Sequence, residues 1–175
     1  MKLGENTKAG PITDFLLEDH RRLEALLQSA VAHADHVDQG AYDQFRAGLL
    51  RHIGMEEKIL LPAAQRLQGG EPLPIASKLR LDHGAIASLL MPPPRAAIIA
   101  KLRAVLKVHN TIEEGPGGLY ETCEELAGSE AAQLLAKLQA APEVAVLPGS
   151  DSPAVMPAVQ RAVERAGYDF REDKV

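Results

Sequence analysis

The chain has no tryptophan, and Phe, Trp and Tyr together make up only 3% of its 175 residues. Sheets lean on aromatic and β-branched side chains, so this scarcity, beside long Ala- and Leu-rich segments, points to helix. A single cysteine, Cys123, can neither close an internal disulfide nor build a thiolate metal cluster, which fits a reducing compartment. No Lys/Arg-rich run occurs and the formal net charge is −5, which argues against nucleic acid or an acidic membrane as the main partner. No apolar run approaches a membrane span, and Met1 to Pro11 lacks the apolar stretch of a signal peptide. The expected location is the cytoplasm. What remains is ordinary: 46% apolar and 25% charged residues, enough for one domain with a core and an appendage.

Apolar residues recur at helical spacing in four long segments. Thr13 or Asp14 is expected to cap a first helix running to about Val37, with the stripe Leu16, His20, Leu23, Leu27, Val31 and Ala34. Asp38 is a cap for a second helix from about Ala41 to Leu67, which Pro62 is expected to bend or weaken. The third covers about Leu73 to Leu90 and ends at Pro92-Pro93-Pro94. The fourth starts near Arg95 and stops or kinks at Gly115-Pro116-Gly117-Gly118. Short connections between amphipathic helices predict an all-α fold, an up-down-up-down four-helix bundle with a helical C-terminal extension. The expected division is 12–127 for the bundle and 128–175 for the extension. Past the Gly-Pro-Gly-Gly break, Leu119 to Leu126 is expected to continue as helix, and Ser129 to cap a short helix to about Ala140. After a linker from Ala141 to Ser152, Ser152-Pro153 opens a last helix to about Ala166. The stripe Val155, Val159 and Val163 needs cover, so the extension is expected to cap the open end of the bundle. Tyr168 to Val175 carries no signal.

The chemistry lies on the apolar stripes. His52 and Glu56 are four residues apart, one helical turn, and stand in line with Phe45, Leu49, Ile59, Ala63 and Leu67. His109 and Glu113 repeat the spacing in line with Ile98, Leu102 and Val105. His20 and His83 interrupt the stripes of the first and third helices. Four of the six histidines thus point inward, one per helix, while His33 and His36 fall on the far side of the first helix and are expected to be solvated. One histidine on such a stripe is more often a hydrogen-bonded core residue than a ligand. Unpaired buried carboxylates, however, cost several kcal/mol each, and a cation removes that cost for both glutamates at once. Imidazole and carboxylate suit iron, manganese or zinc, and bundle cores are where dinuclear carboxylate sites are built. Six donors exceed the need of a tetrahedral zinc and suit two metals sharing Glu56 and Glu113, with two histidines on each.

Asp19-His20, His52-x3-Glu56-Glu57 followed by Leu61-Pro62, Asp82-His83 and His109-x3-Glu113-Glu114 resemble the hemerythrin-like, or HHE cation-binding, domain from about Ile12 to Glu114. The resemblance implies metal ligands at His20, His52, Glu56, His83, His109 and Glu113, holding two non-haem iron ions bridged by oxo or hydroxo and by the two glutamates. Zinc or manganese can fill such a site in recombinant material. Oxygen-carrying hemerythrins have a further histidine one turn after the third-helix ligand; here that position is Ala87, which implies more open coordination. The implied partner is O2, NO or peroxide, for binding or sensing, in a monomer or homodimer. The alternatives are an oxidoreductase acting on peroxide or NO, an iron donor in iron-sulfur repair, and an interaction module using the extension. Cysteine-bearing N-terminal segments accompany the repair proteins, and Met1 to Pro11 holds no cysteine.

The neighbouring polar residues are read more plainly. Asp19 and Asp82 are expected at the surface, Glu57 and Glu114 solvated or beside the ligands, Cys123 as a small core residue and Met55 as lining. Tyr120 is expected to be an ordinary packed side chain with its hydroxyl satisfied, a hydrogen bond near the site or a radical trap being the alternatives.

Overall fold

A computed structural model describes residues 9–171; the polar stretch Met1 to Lys8 and the end from Glu172 to Val175 lie outside it. The expected all-α fold forms, with no strand among the described residues. The helices are α1 (Pro11–Ala30), α2 (Gln39–Met55), α3 (Leu61–Leu67), α4 (Ala76–Leu89), α5 (Ala96–Glu114), α6 (Leu119–Ala127), α7 (Ala131–Gln139) and α8 (Val155–Arg165). A π turn, Glu56–Leu60, joins α2 directly to α3, and a 3-10 turn, Gly128–Glu130, joins α6 to α7.

Several helix ends differ from the sequence expectation for local reasons. Gly10 precedes the first turn of α1, with Pro11 inside it. Thr13 does not cap: its N–H and hydroxyl both donate to Glu124 on α6, 2.9 and 3.2 Å away. α1 ends at Ala30 rather than Val37, because the chain turns there and the Asp38 N–H donates to the Ala30 carbonyl. Asp38 caps α2 as expected, accepting from the Ala41 N–H. Pro62 does not end the helical run: it stands in the first turn of α3, directly after the π turn. The adjustment falls upstream, where the Leu61 N–H donates to the Glu56 carbonyl and widens one turn. That widening moves the buried face behind it, so Leu60, Leu61 and Ala64 are buried while Ile59, Ala63 and Leu67 are only partly so. Ser152 offers its carbonyl, not its side chain, to the first turn of α8.

The core is in two halves. One holds Leu23, Leu27, Phe45, Leu49, Ile86, Leu89, Leu102 and Val105, with Val155, Val159 and Val163 of α8 among them. The other holds Ile12, Leu16, Met55, Leu60 and Leu79 with residues of α6 and α7. Along each of α1, α2 and α4 the change from one half to the other falls at a histidine: His20, His52 and His83. A polar layer therefore lies between two apolar halves. α8 packs on α4, while α6 and α7 pack on α1. The 140–154 linker has no helix of its own, yet it is pinned. Arg51 donates to the Gln139 and Ala141 carbonyls, Arg46 to that of Leu147, and the Ser150 N–H to that of Met91. No helix among the described residues is long and apolar enough to cross a membrane.

Because Val159 is completely buried within the first half of the core, Val159→Ala is expected to lower unfolding stability by about 2 kcal/mol. Urea denaturation measures it; unchanged stability would mean that α8 is only tethered.

Candidate metal centre

Glu56 and Glu113 are each 0% exposed, and His52, His83 and His109 are between 2% and 4% exposed. His20 completes the group, with 9% of its side chain accessible. All six residues singled out in the sequence meet in the polar layer. Their donor atoms form two overlapping groups, each within 4.8 Å: His20, His52, Glu56 and Glu113, and His83, His109, Glu56 and Glu113. Each glutamate divides its oxygens between the groups. Glu56 Oε1 lies 3.3 Å from His52 Nε2 and Oε2 lies 3.1 Å from His83 Nε2. Glu113 Oε2 lies 3.5 Å from His20 Nε2, and Oε1 lies 2.8 Å from His109 Nε2. The π turn begins at Glu56 itself, and such turns are frequent at functional sites.

Each imidazole has its other nitrogen against a carboxylate of a neighbouring helix. Asp19 Oδ2 is 2.8 Å from His52 Nδ1, and Glu57 Oε1 is 2.6 Å from His83 Nδ1. Asp82 Oδ2 is 3.4 Å from His109 Nδ1, and Glu114 Oε1 is 2.5 Å from His20 Nδ1. The four pairs close a ring from α1 to α2, from the π turn to α4, from α4 to α5 and from α5 back to α1. A carboxylate only accepts, so each Nδ1 carries the hydrogen and each Nε2 is aimed inward, the arrangement that orients metal-bound histidines. Asp19 and Asp82 are thus not surface residues: they are 9% and 0% exposed. Each precedes a ligand-type histidine but braces the histidine of the next helix, because adjacent residues lie roughly 100° apart around a helix. The repeated Asp-His and Glu-Glu pairs were the signal for this, legible only once the helices are placed side by side.

Tyr120 departs furthest from its expected role. Gly117, at φ 69°, and Gly118 make the turn that brings it in; a Cβ on Gly118 would stand 2.6–2.7 Å from three backbone carbonyls. The Tyr120 hydroxyl lies 3.0 Å from His20 Nε2, 3.1 Å from His52 Nε2, 2.9 Å from Glu56 Oε1 and 3.2 Å from Glu113 Oε2. It touches every donor of the first group and none of the histidines of the second. Among the described residues, Glu56 Oε2, His83 Nε2 and Glu113 Oε1 of the second group are sealed from solvent without a hydrogen-bond partner. His83 Nε2 and Glu56 Oε2 attract each other across 3.1 Å, and His109 Nε2 and Glu113 Oε1 across 2.8 Å, but neither pair is aligned to bond. Sealed, converging, unpartnered nitrogen and oxygen donors are what a bound cation needs, so these residues fit a metal. Cys123, as expected, is a buried free thiol, and burial pushes it up to about 12. His33 and His36 are exposed.

The electrostatics agree. Burial works to depress the His52 imidazole, but Glu56 and the Asp19 hydrogen bond overcome it and push it up to about 10. His83, against the same burial, is pushed up to about 10 by Glu113, Glu56 and Glu57. His109 rises to about 9 through Asp82 and Glu113. Burial would raise Glu56, yet His52 and His83 hold it well below the usual carboxylate range. Without a cation, protons on the imidazoles supply the positive charge that the two glutamates require.

A pocket of about 40 Å³ adjoins the layer, lined by Leu23, Phe45, Leu49, Ile53, Ile86 and Leu106 beside His20, His52 and His109, with Glu24 and Asn110 also on its wall. Its wall is apolar on the side of the core and polar on the side of the histidines, and it is close to the size of one small molecule.

Fold and site together define an all-helical protein with a buried histidine–carboxylate cluster that could hold metal. The model of the hemerythrin HHE cation binding domain matches residues 12–141, and the chain belongs to that family. Comparison with curated proteins and with solved structures gave no match.

Two outcomes follow from the raised imidazoles. A ligating nitrogen must be free of its proton, so metal uptake at about pH 7 is expected to release roughly three protons, from His52, His83 and His109. Calorimetry in buffers of different ionisation enthalpy counts them. The stabilisation that these histidines give the metal-free protein is complete below their ordinary 6.5 and lost as pH rises through about 9 to 10. The thermal midpoint of metal-free protein is therefore expected to fall over that window, and that of metal-loaded protein to fall less.

Proposed function

We propose that this chain is a cytoplasmic non-haem di-iron protein whose buried centre binds or senses O2, NO or iron. One observation carries the reading: Glu56 Oε2, His83 Nε2 and Glu113 Oε1 converge, sealed and unpartnered, between two glutamates that each face both histidine pairs. His20 and His52 would hold one iron and His83 and His109 the other, with Glu56 and Glu113 shared. When bound, iron supplies a change of oxidation state and coordination positions for a diatomic ligand. The chain's residues do the rest. Asp19, Glu57, Asp82 and Glu114 fix the imidazoles, and the two apolar halves of the core keep bulk water away. The pocket beside Leu49 and Ile86 favours a small apolar ligand over a large or charged one.

A second reading, an oxidoreductase acting on peroxide or NO, is favoured by Tyr120. Its hydroxyl holds a proton 2.9 Å from Glu56 Oε1 in the midst of one donor group. Burial and the neighbouring Glu56 and Glu113 hold the phenol well above its ordinary value, so it keeps its proton at neutral pH and can donate it.

Protein purified from iron-replete cells is expected to carry about two irons per chain, with near-ultraviolet charge-transfer bands that His52→Ala and Glu113→Ala abolish. Metal-free wild-type protein would overturn the proposal. Leu106→Trp, which fills the pocket wall, is expected to slow NO binding measured by stopped flow while leaving iron content unchanged. Catalytic consumption of peroxide that is lost in Tyr120→Phe would select the second reading.

A further inference from the structure

Three of the carboxylates that brace the imidazoles are themselves held by a cation. Asp19 accepts from Arg22 at 2.8 Å, on its own helix, and Glu57 from Arg80 at 3.3 Å, on α4. Both cations, and Lys78 as well, lie within the stretch matched by the family. Asp82 differs. Its Oδ1 accepts from Lys78 Nζ at 2.5 Å, and that ammonium is committed elsewhere as well. It donates to the Ala166 carbonyl at 2.8 Å, lies 3.4 Å from the Tyr168 hydroxyl and sits 4.4 Å from the centre of the Tyr168 ring. Ala166 caps the C-terminus of α8, where unsatisfied carbonyls and the helix dipole both favour a cation. Gly167, at φ 92°, reverses the chain so that the Tyr168 N–H bonds back to the Val163 carbonyl and its ring covers Lys78. α8 is fixed in turn by Val155, Val159 and Val163 in the core. It lies beyond residue 141, outside the family match.

A continuous path thus runs from the end of α8 through Lys78 and Asp82 to His109. We propose that Lys78 is a positioning residue through which the docked C-terminal helix sets the orientation of His109, so that one metal position depends on a segment added to the family domain and the other does not. The proposal rests on the di-iron reading above. Asp82 is completely buried and its second oxygen is the partner of His109 Nδ1, so the place of Lys78 decides where that oxygen points. Loss of such an outer partner typically costs 10–100-fold in metal affinity. Occupancy and docking are reciprocal: whatever loosens α8 weakens the His109 metal, and that metal strengthens the docking of α8.

The test is anaerobic extraction of iron(II) by a chromogenic chelator from the full chain and its variants. Protein carrying His109→Ala identifies which of the two release phases belongs to that half. Lys78→Met, which keeps the stem and removes the ammonium, is expected to speed that phase about tenfold or more and leave the other unchanged. Lys78→Arg restores it in part, and Arg22→Met speeds the opposite phase, through Asp19 and His52. Tyr168→Leu and deletion of residues 152–175 reproduce the Lys78→Met pattern in protein that circular dichroism shows to be folded. Two phases at wild-type rates in Lys78→Met, or both accelerated alike, would overturn the proposal. Wild-type protein that takes up no iron fails at an earlier point, removing the di-iron reading and the proposal with it.

Discussion

Two carboxylates with no access to water decide most of this structure. Glu56 and Glu113 sit where the four helices that carry the histidines converge, and burial of a charged group without compensation costs more than most of a domain's net stability. Positive charge must therefore be brought to them. Imidazole is the one side chain that can do this as a proton carrier in one state and as a neutral ligand in another. The polar layer reads as two balanced solutions to one charge problem, protons on His52, His83 and His109 or cations in their place. Its position between two apolar halves gives each half a modest core and places the shared boundary at the chemistry.

The ring of cross-helix carboxylate–imidazole pairs makes that boundary rigid. Every brace comes from a helix other than that of the histidine it holds, so no histidine can turn without disturbing a neighbouring helix. A bundle held by apolar stripes alone tolerates small rotations and slides between helices. Here directional bonds between α1, α2, α4 and α5 remove that freedom at the one level where it would misplace a donor. Lys78 extends the same logic outward to α8, while Arg22 and Arg80 close it locally.

Much of this was legible in the sequence. The six donors could be named because His-x3-Glu on an apolar stripe is a conflict that needs a cause, and two copies with two further stripe histidines limit the causes to few. α8 was legible for the same reason, since Val155, Val159 and Val163 require cover. What escaped reading depended on relations between helices. Asp19 and Asp82 look like surface residues when each helix is taken alone, because the partner that justifies burying them belongs to another helix. Tyr120, seven residues beyond Glu113, would share its stripe only in an unbroken helix, whereas the tight turn at Gly117 and Gly118 delivers it by folding α6 back. The Thr13 hydroxyl, read as a cap, goes to Glu124. The end of α1 at Ala30 had no local breaker to mark it, and the order of the linker comes from Arg46 and Arg51, more than eighty residues away in the chain.

The widened turn at Glu56 has a consequence for how residues 39–67 tolerate change. Ahead of it the sensitive positions form one comb, with teeth at Tyr42, Phe45, Leu49 and His52; behind it they form a second, at Leu60, Leu61 and Ala64, displaced along the sequence from the teeth that a straight helix would have. The turn that places the Glu56 carboxylate also resets which face of α3 is buried, so one local distortion serves both the site and the packing of the helix that follows it.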